Sequence, residues 1–474
     1  MNKFEEYFSG KSASLIGAGV SNMPLTSLLK DVCTSVSVRD KKSPSELGDT
    51  VEMLEKIGVK LITGDDYLEN ITEDVVFRSP GIRPDLPQLQ KAVDAGSKLT
   101  SEMEFFLSIC PCPVYAVTGS DGKSTTTTLT SLMLESGIEL GTVGGKVFLG
   151  GNIGKPLLDR YSQMCENDAV AVELSSFQLM TIDAPIEVAA ITNVTPNHLN
   201  WHTSMDEYID AKKNILKHTR RAVLNYENDV TRAIAEEVKK TATPVTYFSL
   251  SPIPSSALRD IDSKVWLEND TIYALFPDSG TTEIMPRKAI KLPGLHNTAN
   301  YMTAIAVTWG RTSPEKIRKI ASTFGGVEHR LEFVREKDGV TYINGSIDSS
   351  PTRTAAALSA INDRPVVLIA GGYDKHIPYE PLADAIYSSS VHTVVLTGDT
   401  APLIKKALAE HEKAGSSSLK VLEADSFEDA VAQAKNSAKA GDTVILSPAS
   451  ASFDRFKNFE ERGRYFKKLV NEME

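Results

Sequence analysis

The chain predicts an α/β protein of three domains: a Rossmann-like domain over 1–112, a central phosphate-loop domain with a small β insertion over 113–326, and a second Rossmann-like domain over 327–474. Three observations carry this prediction. Short apolar runs alternate with helix-forming runs from Ser12 to Phe77, and again beyond Gly325-Gly326. Cys110-Pro111-Cys112-Pro113 interrupts the first alternation as a linker, since prolines break both helix and strand. Just after it, an apolar run and a helix-forming run flank the turn Thr118-Gly119-Ser120-Asp121-Gly122-Lys123-Ser124-Thr125.

The first domain is built from candidate strands Ser12–Ile16, Ser35–Val38, Val59–Ile62 and Asp74–Phe77, an alternation that implies a parallel sheet. The first strand runs into Gly17-Ala18-Gly19-Val20-Ser21-Asn22, a dinucleotide fingerprint whose third glycine is Asn22. Asp40 follows the second strand, near where a ribose-binding acid is expected. Packing glycines in a strand–helix turn would look the same, and both readings stand. Arg78-Ser79-Pro80-Gly81 follows the fourth strand, at the edge where ligands dock in such sheets.

In the central domain, Val114–Val117 reads as a buried strand and Thr126 to Glu135 as a helix. Strand, glycine turn, Lys, hydroxyl and helix make a phosphate cradle. Lys123 would reach the terminal phosphates of ATP, and Ser124 or Thr125 would take Mg²⁺. The loop is a short variant, because Val117 stands where the common pattern has its first glycine; a plain turn with a solvated Lys is the bland alternative. Strand Ala169–Val172 ends in Glu173, placed like an acid that holds the nucleotide's metal. Strand Ala189–Thr192 ends in the loop Asn193 to His202, which contains His198. A lone loop His is ordinarily solvated, but this one opens beside the phosphate loop. Lys212 lies on a predicted helix and by itself reads as a surface Lys. Runs Val265–Leu267 and Thr271–Phe276 suggest the antiparallel insertion, and a helix follows from Gly294 to Trp309.

Beyond Gly325-Gly326, whose glycines could absorb a hinge, strands are expected at Val340–Ile343, Val366–Ala370, Val391–Thr397, Leu419–Leu422 and Thr443–Leu446. Composition sets the outer limits. Lys and Arg number 51 against 62 Asp and Glu, a net charge of −11 that argues against a general nucleic-acid surface. No apolar run approaches the ~20 residues of a membrane span, and no signal-peptide core precedes the first strand. The four cysteines, Cys33, Cys110, Cys112 and Cys165, lack the paired spacing of a zinc site and read as free thiols in a cytoplasmic protein.

Taken in order, the phosphate loop, Glu173-Leu-Ser-Ser-Phe-Gln-Leu, Asn193-Val-Thr-x-x-His198, Tyr208-x-x-Ala-Lys212, Gly294-x-His-Asn297-x-x-Asn300 and Glu328-His329-Arg330 resemble the Mur ligases over nearly the whole chain. The run Leu446-Ser-Pro-Ala-Ser-Ala-Ser-Phe-Asp-Arg-Phe-Lys-Asn-Phe-Glu-Glu-Arg-Gly463 is similar to the D-glutamate-adding branch. The resemblance implies an ATP-dependent ligase acting on UDP-N-acetylmuramoyl-L-alanine and D-glutamate in peptidoglycan precursor synthesis, working as a monomer with no nucleic-acid or membrane partner. It implies that Gly119, Ser120, Asp121, Gly122, Lys123, Ser124 and Thr125 cradle ATP and Mg²⁺, with Glu173 on the same metal. His198 and a carbamylated Lys212 would serve a second Mg²⁺, since a carbamate turns a cationic amine into an oxygen donor. Asn297, Asn300 and Arg330 would contact the nucleotide; Asn152 and Ser175 would face the acyl substrate; Gly17, Gly19, Asp40, Ser79 and Gly81 would hold the UDP end. Lys375, Ser452 and the backbone of Phe459 would receive the two carboxylates of D-glutamate.

Two segments depart from the family pattern. Many members carry Asn-Asp-Ser-Lys-Ala-Thr-Asn after the first C-terminal strand, where this chain has Asn344-Gly345-Ser346-Ile347-Asp348-Ser349-Ser350. Gly345 replaces the acid and Ile347 the Lys, while Asp348 is acidic further on. Gly371-Gly372-Tyr373-Asp374-Lys375 likewise has its acid one position late. Both are read as lineage variation. Two other readings compete: a folylpolyglutamate synthase, which lacks an N-terminal UDP-binding domain, and a non-catalytic nucleotide-binding protein, which Gly345 and Ile347 would suit.

Overall fold

A computed structural model of the chain describes residues 3–19, 22–154, 156–199, 201–292, 294–361, 364–375 and 377–473. Val20 and Ser21 of the first glycine turn, Asn200 of the His198 loop and Pro293 lie outside the described residues. The chain divides into two compact units, Met1–Thr323 and Phe324–Glu474.

The first unit contains two sheets. Strands β1 (Ser12–Ile16), β2 (Ser35–Asp40), β3 (Lys60–Thr63), β4 (Val75–Arg78) and β5 (Lys98–Thr100) form a parallel sheet in the order β3-β2-β1-β4-β5. The order reverses between β1 and β4, so the loops leaving those two strands, at Gly17 and Ser79, meet where such sheets bind ligands. The second sheet has nine strands: β6 (Val114–Thr118), β7 (Val147–Gly151), β8 (Ala169–Glu173), β9 (Ile186–Ile191), β10 (Thr219–Asn225), β11 (Val245–Ser249), β12 (Ser263–Glu268), β13 (Thr271–Phe276) and β14 (Gly280–Pro286). β6 lies between β8 and β9, parallel to both, and every residue of β6 and β8 is buried. Coverage on both faces explains why these strands read as unbroken apolar runs. The antiparallel insertion, β12-β13-β14, is joined edge-on to this sheet through parallel pairing of β12 with β11.

The helix after the phosphate loop is longer than expected, Lys123–Glu139. Its threonine run does not break it, because the hydroxyls of Thr127 and Thr128 donate to the carbonyls of Lys123 and Ser124 four residues back. The helix expected from Gly294 to Trp309 spans Leu295–Val307.

The second unit holds β15 (Glu332–Lys337), β16 (Val340–Asn344), β17 (Val366–Ala370), β18 (Val391–Leu396), β19 (Lys420–Glu423) and β20 (Thr443–Leu446), in the order β15-β16-β20-β17-β18-β19. β20 runs parallel to β16 and β17 between them, so the loops that follow these three strands emerge side by side. Antiparallel β15, at the edge, was not expected from the sequence.

Candidate active site

The phosphate loop is shaped by close approach. Gly122 has φ +79 and caps the helix Lys123–Glu139, and a Cβ on it would overlap Asn300 Oδ1. Gly119 has φ +149 and lies against Thr192 in the same way. No residue with a Cβ fits either place without displacing a neighbour. The ends of the adjoining strand hold the loop. Ser120 N donates to Asn193 O at 2.9 Å, Asp121 N to Asn193 Oδ1 at 2.9 Å, and Thr192 Oγ1 to Asp121 O at 2.6 Å. Thr126 Oγ1 donates to Asn300 Oδ1 at 3.3 Å, which ties helix Lys123–Glu139 to helix Leu295–Val307, and Asn300 Nδ2 donates to Asn297 Oδ1 at 3.2 Å within the latter.

Two lysines converge on one carbonyl. Lys123 Nζ donates to Gly119 O at 3.0 Å and to Ser120 O at 2.8 Å, while Lys212 Nζ donates to Gly119 O at 2.7 Å. Lys212 is 1% exposed. Burial first, and then the Lys123 charge, push its amine down to about 6. Lys212 is therefore no surface residue, as the sequence alone would suggest. Tyr208, one helical turn before it, shares a 2.9 Å hydrogen bond with Ser120 Oγ.

Glu173 is fully buried at the end of β8. Its Oε1 accepts from Asn152 Nδ2 at 2.7 Å, and its Oε2 has no hydrogen-bond partner. A buried carboxylate oxygen left in this state is costly unless a cation meets it, so the site suits a divalent ion. Among the described residues no three His, Cys, Asp or Glu side chains are grouped to hold a metal by themselves. An ion here would therefore share its coordination with hydroxyls and phosphates. His198 has φ +56 and an accessible ring 5.0 Å from that of Phe177. Partial desolvation, then Lys123 and Lys212, hold its imidazole below the ordinary value, in the neutral form a metal requires. Asn152 and Ser175, expected on the acyl substrate, are both engaged within the protein. Ser175 Oγ donates to Gln178 Oε1 at 2.9 Å and caps the short helix Ser176–Leu179.

At the first sheet, Gly17 has φ +92, and a Cβ there would overlap Ser79 Oγ. It is a packing glycine. Gly19 and Gly81 face open space instead. Asn22, where a third glycine was expected, donates from Nδ2 to Ile16 O, Gly17 O and Ser79 Oγ and pins the turn. Asp40 Oδ2 accepts from Ala18 N at 2.8 Å, so this acid braces the glycine turn.

A chain of contacts missed by sequence reasoning joins this sheet to the loops at Ser176 and at 198–202. Arg83 forms an ion pair with Glu207 at 2.8 Å and donates to Trp201 O at 3.0 Å. Glu207 Oε2 lies 3.2 Å from His202 Nδ1, and His202 Nε2 lies 2.9 Å from Ser176 Oγ. Trp201 Nε1 donates to Gly81 O at 3.0 Å. The buried Arg78 guanidinium reaches Phe177 O and Thr181 Oγ1 at 3.1 Å each. The one available signal was the aromatic and His content of the Asn193 to His202 loop.

In the second unit, the loops after β16, β17 and β20 bring Asp348, Lys375 and Ser452 to one edge. Tyr373 N donates to Ala451 O at 3.0 Å, and Ser346 Oγ to Phe459 O at 2.8 Å. Phe459 opens the helix Phe459–Glu472, whose Glu461 N–H is capped by Asn458 Oδ1 at 2.8 Å. Arg330 sits in the turn before β15, where its N donates to Val327 O at 3.0 Å.

Comparison with known proteins agrees with this architecture. The family profile described as the Mur ligase middle domain matches residues 117–308, and that described as "Mur ligase, glutamate ligase domain" matches 329–450. The chain is 44% identical to a UDP-N-acetylmuramoylalanine–D-glutamate ligase of Ruminiclostridium cellulolyticum, covering 100% of this chain and 99% of the relative. Identity to the ligase of the same name from Acetivibrio thermocellus is also 44%, with the same coverage. Among solved structures, UDP-N-acetylmuramate-alanine ligase from Thermotoga maritima superimposes with a TM-score of 0.52 at 16% identity, covering 97% of this chain and 99% of that one. That likeness concerns the fold alone.

Proposed function

The chain belongs to the Mur ligase family, and from that premise we propose that it is an ATP-dependent ligase joining D-glutamate to UDP-N-acetylmuramoyl-L-alanine in peptidoglycan precursor synthesis. The observation that carries the chemistry is the grouping, on one sheet edge, of a phosphate loop, two lysines on the Gly119 carbonyl and the half-satisfied carboxylate of Glu173. The choice of D-glutamate rests on the names of the relatives.

In this reading, residues 1–112 hold the UDP end through the Gly17–Gly19 turn, Ser79 and Gly81. Residues 113–326 hold ATP, with Asn297 and Asn300 on the nucleotide. Residues 327–474 receive D-glutamate through Lys375, Ser452 and the Phe459 N–H. A carboxylate resists attack by an amine because it is negatively charged and its leaving oxygen is poor. Its attack on the γ-phosphorus of ATP releases ADP and gives an acyl phosphate. The D-glutamate amine then adds to the acyl carbon, and the tetrahedral intermediate expels phosphate. Lys123 and the N–H groups at the helix start offset charge on the transferring phosphoryl oxygens.

Ser124 or Thr125 with Glu173 would hold one Mg²⁺, and His198 with a carbamylated Lys212 a second. The ions would supply charge neutralisation at the phosphate oxygens. The depressed Lys212 amine supports the carbamate, because the neutral amine is the form that adds to CO₂, giving N–COO⁻ and releasing one proton. No described helix is long and apolar enough to cross a membrane. The reading takes the enzyme as a cytoplasmic monomer.

A phosphate-release assay across substrates tests it. Release should require ATP, UDP-N-acetylmuramoyl-L-alanine and D-glutamate together. L-Glutamate should be poor because its inverted Cα cannot set the amine and both carboxylates on the same receptors, L-lysine because it lacks the second carboxylate, and diaminopimelate because its carboxylates stand farther apart and it adds a second cation. Comparable rates with L-lysine or diaminopimelate would move the chain to another branch of the family.

A further inference from the structure

The loop after β16 lacks an acid at Gly345 and a cation at Ile347, and the structure shows which charged groups surround it. A Cβ on Gly345 would lie 2.6 Å from Asp348 Oδ2 and 2.8 Å from Leu446 O. The Asp348 carboxylate thus occupies the space that a side chain at 345 would enter. It is buried, 7% exposed, and accepts from Ser447 Oγ at 2.8 Å. Burial raises it, while Arg330, Arg353 and Arg462 act in the opposite direction, so it faces a cationic surround.

A cation from the next helix reaches the same loop. Arg353 lies in the first turn of Pro351–Ala360, and its Nη1 donates to Ile347 O at 3.1 Å. The guanidinium therefore sits over the backbone of the residue that has lost the Lys. Lys375 arrives at the same loop from the end of β17, with Nζ 3.5 Å from both Ser349 O and Ser349 Oγ. Burial, then Arg353 and Arg462, hold the Lys375 amine below its ordinary value. Arg462 is fully engaged, donating to Ser346 Oγ, Ser346 O, Ser450 O and Ala451 O. Arg353 and Lys375 are not so engaged: among the described residues their side chains donate to loop oxygens, at 3.1 Å and 3.5 Å. Two cations brought together over a loop, with their neighbour already committed, favour an anion between them.

We propose that Arg353 is a second cationic receptor, beside Lys375, for a carboxylate of the incoming amino acid, and that Asp348 is the positioning acid that holds this loop in place of one at 345. The proposal rests on the D-glutamate ligase reading and specifies which of this chain's own residues replace the two the family pattern lacks. Arg353 is exposed, so its guanidinium can turn from the Ile347 carbonyl to a ligand without leaving a buried polar group unpaired.

The full-length enzyme tests this through Arg353→Met, Arg353→Lys, the double variant Ile347→Lys/Arg353→Met, and Asp348→Asn. Steady-state kinetics give KM for D-glutamate and for ATP separately. Calorimetric titration with glutarate, which has two carboxylates and no reacting amine, reads the site without turnover. Arg353→Met should raise the D-glutamate KM about tenfold or more, the loss expected for one charged hydrogen bond, and weaken glutarate in parallel, with the ATP KM unchanged. Arg353→Lys should recover part of the loss, and Ile347→Lys should recover part of it in the Met background. Asp348→Asn should raise the D-glutamate KM while the melting temperature holds. An Arg353→Met enzyme with unchanged D-glutamate KM and glutarate affinity overturns the receptor role, and an unaffected Asp348→Asn enzyme overturns the positioning role. Wild-type protein that binds glutarate in an Arg353-dependent manner but turns over a different amino acid would sink the D-glutamate reading alone. Wild-type protein that neither uses D-glutamate nor binds glutarate overturns both.

Discussion

Gly122→Ala is the sharpest probe of how the nucleotide site is assembled. A non-glycine residue in the left-handed region at φ +79 costs about 1–2 kcal/mol. The new Cβ would also meet Asn300 Oδ1 and force that side chain away. Asn300 would then lose its hydrogen bonds to Thr126 and Asn297, about 1 kcal/mol each. The total is about 3–4 kcal/mol for Gly122→Ala and about 2 kcal/mol for Asn300→Ala. Because alanine at 300 clears the overlap, the double variant should cost about 3–4 kcal/mol and not the sum, a coupling of about 2 kcal/mol. Urea unfolding followed by tryptophan fluorescence is suited to the measurement. All three tryptophans, Trp201, Trp266 and Trp309, lie in the first unit and report on it alone. Additive losses, within about 0.5 kcal/mol, would show that the two positions do not share the space the structure assigns to them.

Two further outcomes follow from buried groups. Lys212→Ala should be nearly inactive, and short-chain carboxylates such as acetate should restore part of the rate by supplying the oxygen donor; rescue equally good in wild type would remove the carbamate reading. Burial raises Glu102 from 4.5 to about 7, so its stabilising neutral form is fully present below pH 4.5 and lost as pH rises through about 7. Glu102→Gln should therefore gain up to about 3 kcal/mol relative to wild type at pH 8, and little at pH 4.5, in melting experiments at the two pH values; an equal shift at both would refute it.

The interior of each sheet was legible because full burial makes β6, β8, β17 and β20 unbroken apolar runs. Edge strand β15, with the sequence Glu-Phe-Val-Arg-Glu-Lys, was not, since a charged outer strand carries no such signal. The phosphate loop could be read because its function is local: glycines, Lys and helix are adjacent in sequence. What remained hidden are the pairs that only folding brings together. Thr192 reaches Asp121 across 71 positions and Arg83 reaches Glu207 across 124, and neither separation leaves a pattern in the chain. Lys212 read as a surface residue because nothing on its own helix announces that Gly119 lies over it. Asp40, read from the sequence beside a ribose, also satisfies the Ala18 N–H, a contact that its spacing from the glycine turn does not announce.

The Arg83–Glu207–His202–Ser176 chain limits how modular this enzyme is. The Cys110-Pro111-Cys112-Pro113 linker looks like a place to cut, graft or exchange an N-terminal module. A graft made there would leave His202 and Glu207 facing a foreign loop, and the Ser176 segment would lose its tether two steps away. An exchange of the first sheet between relatives therefore keeps this tether only when the segment around Arg83 and the segment around Trp201 travel together. The unit that has to move as one is that pair of segments, not the first sheet by itself.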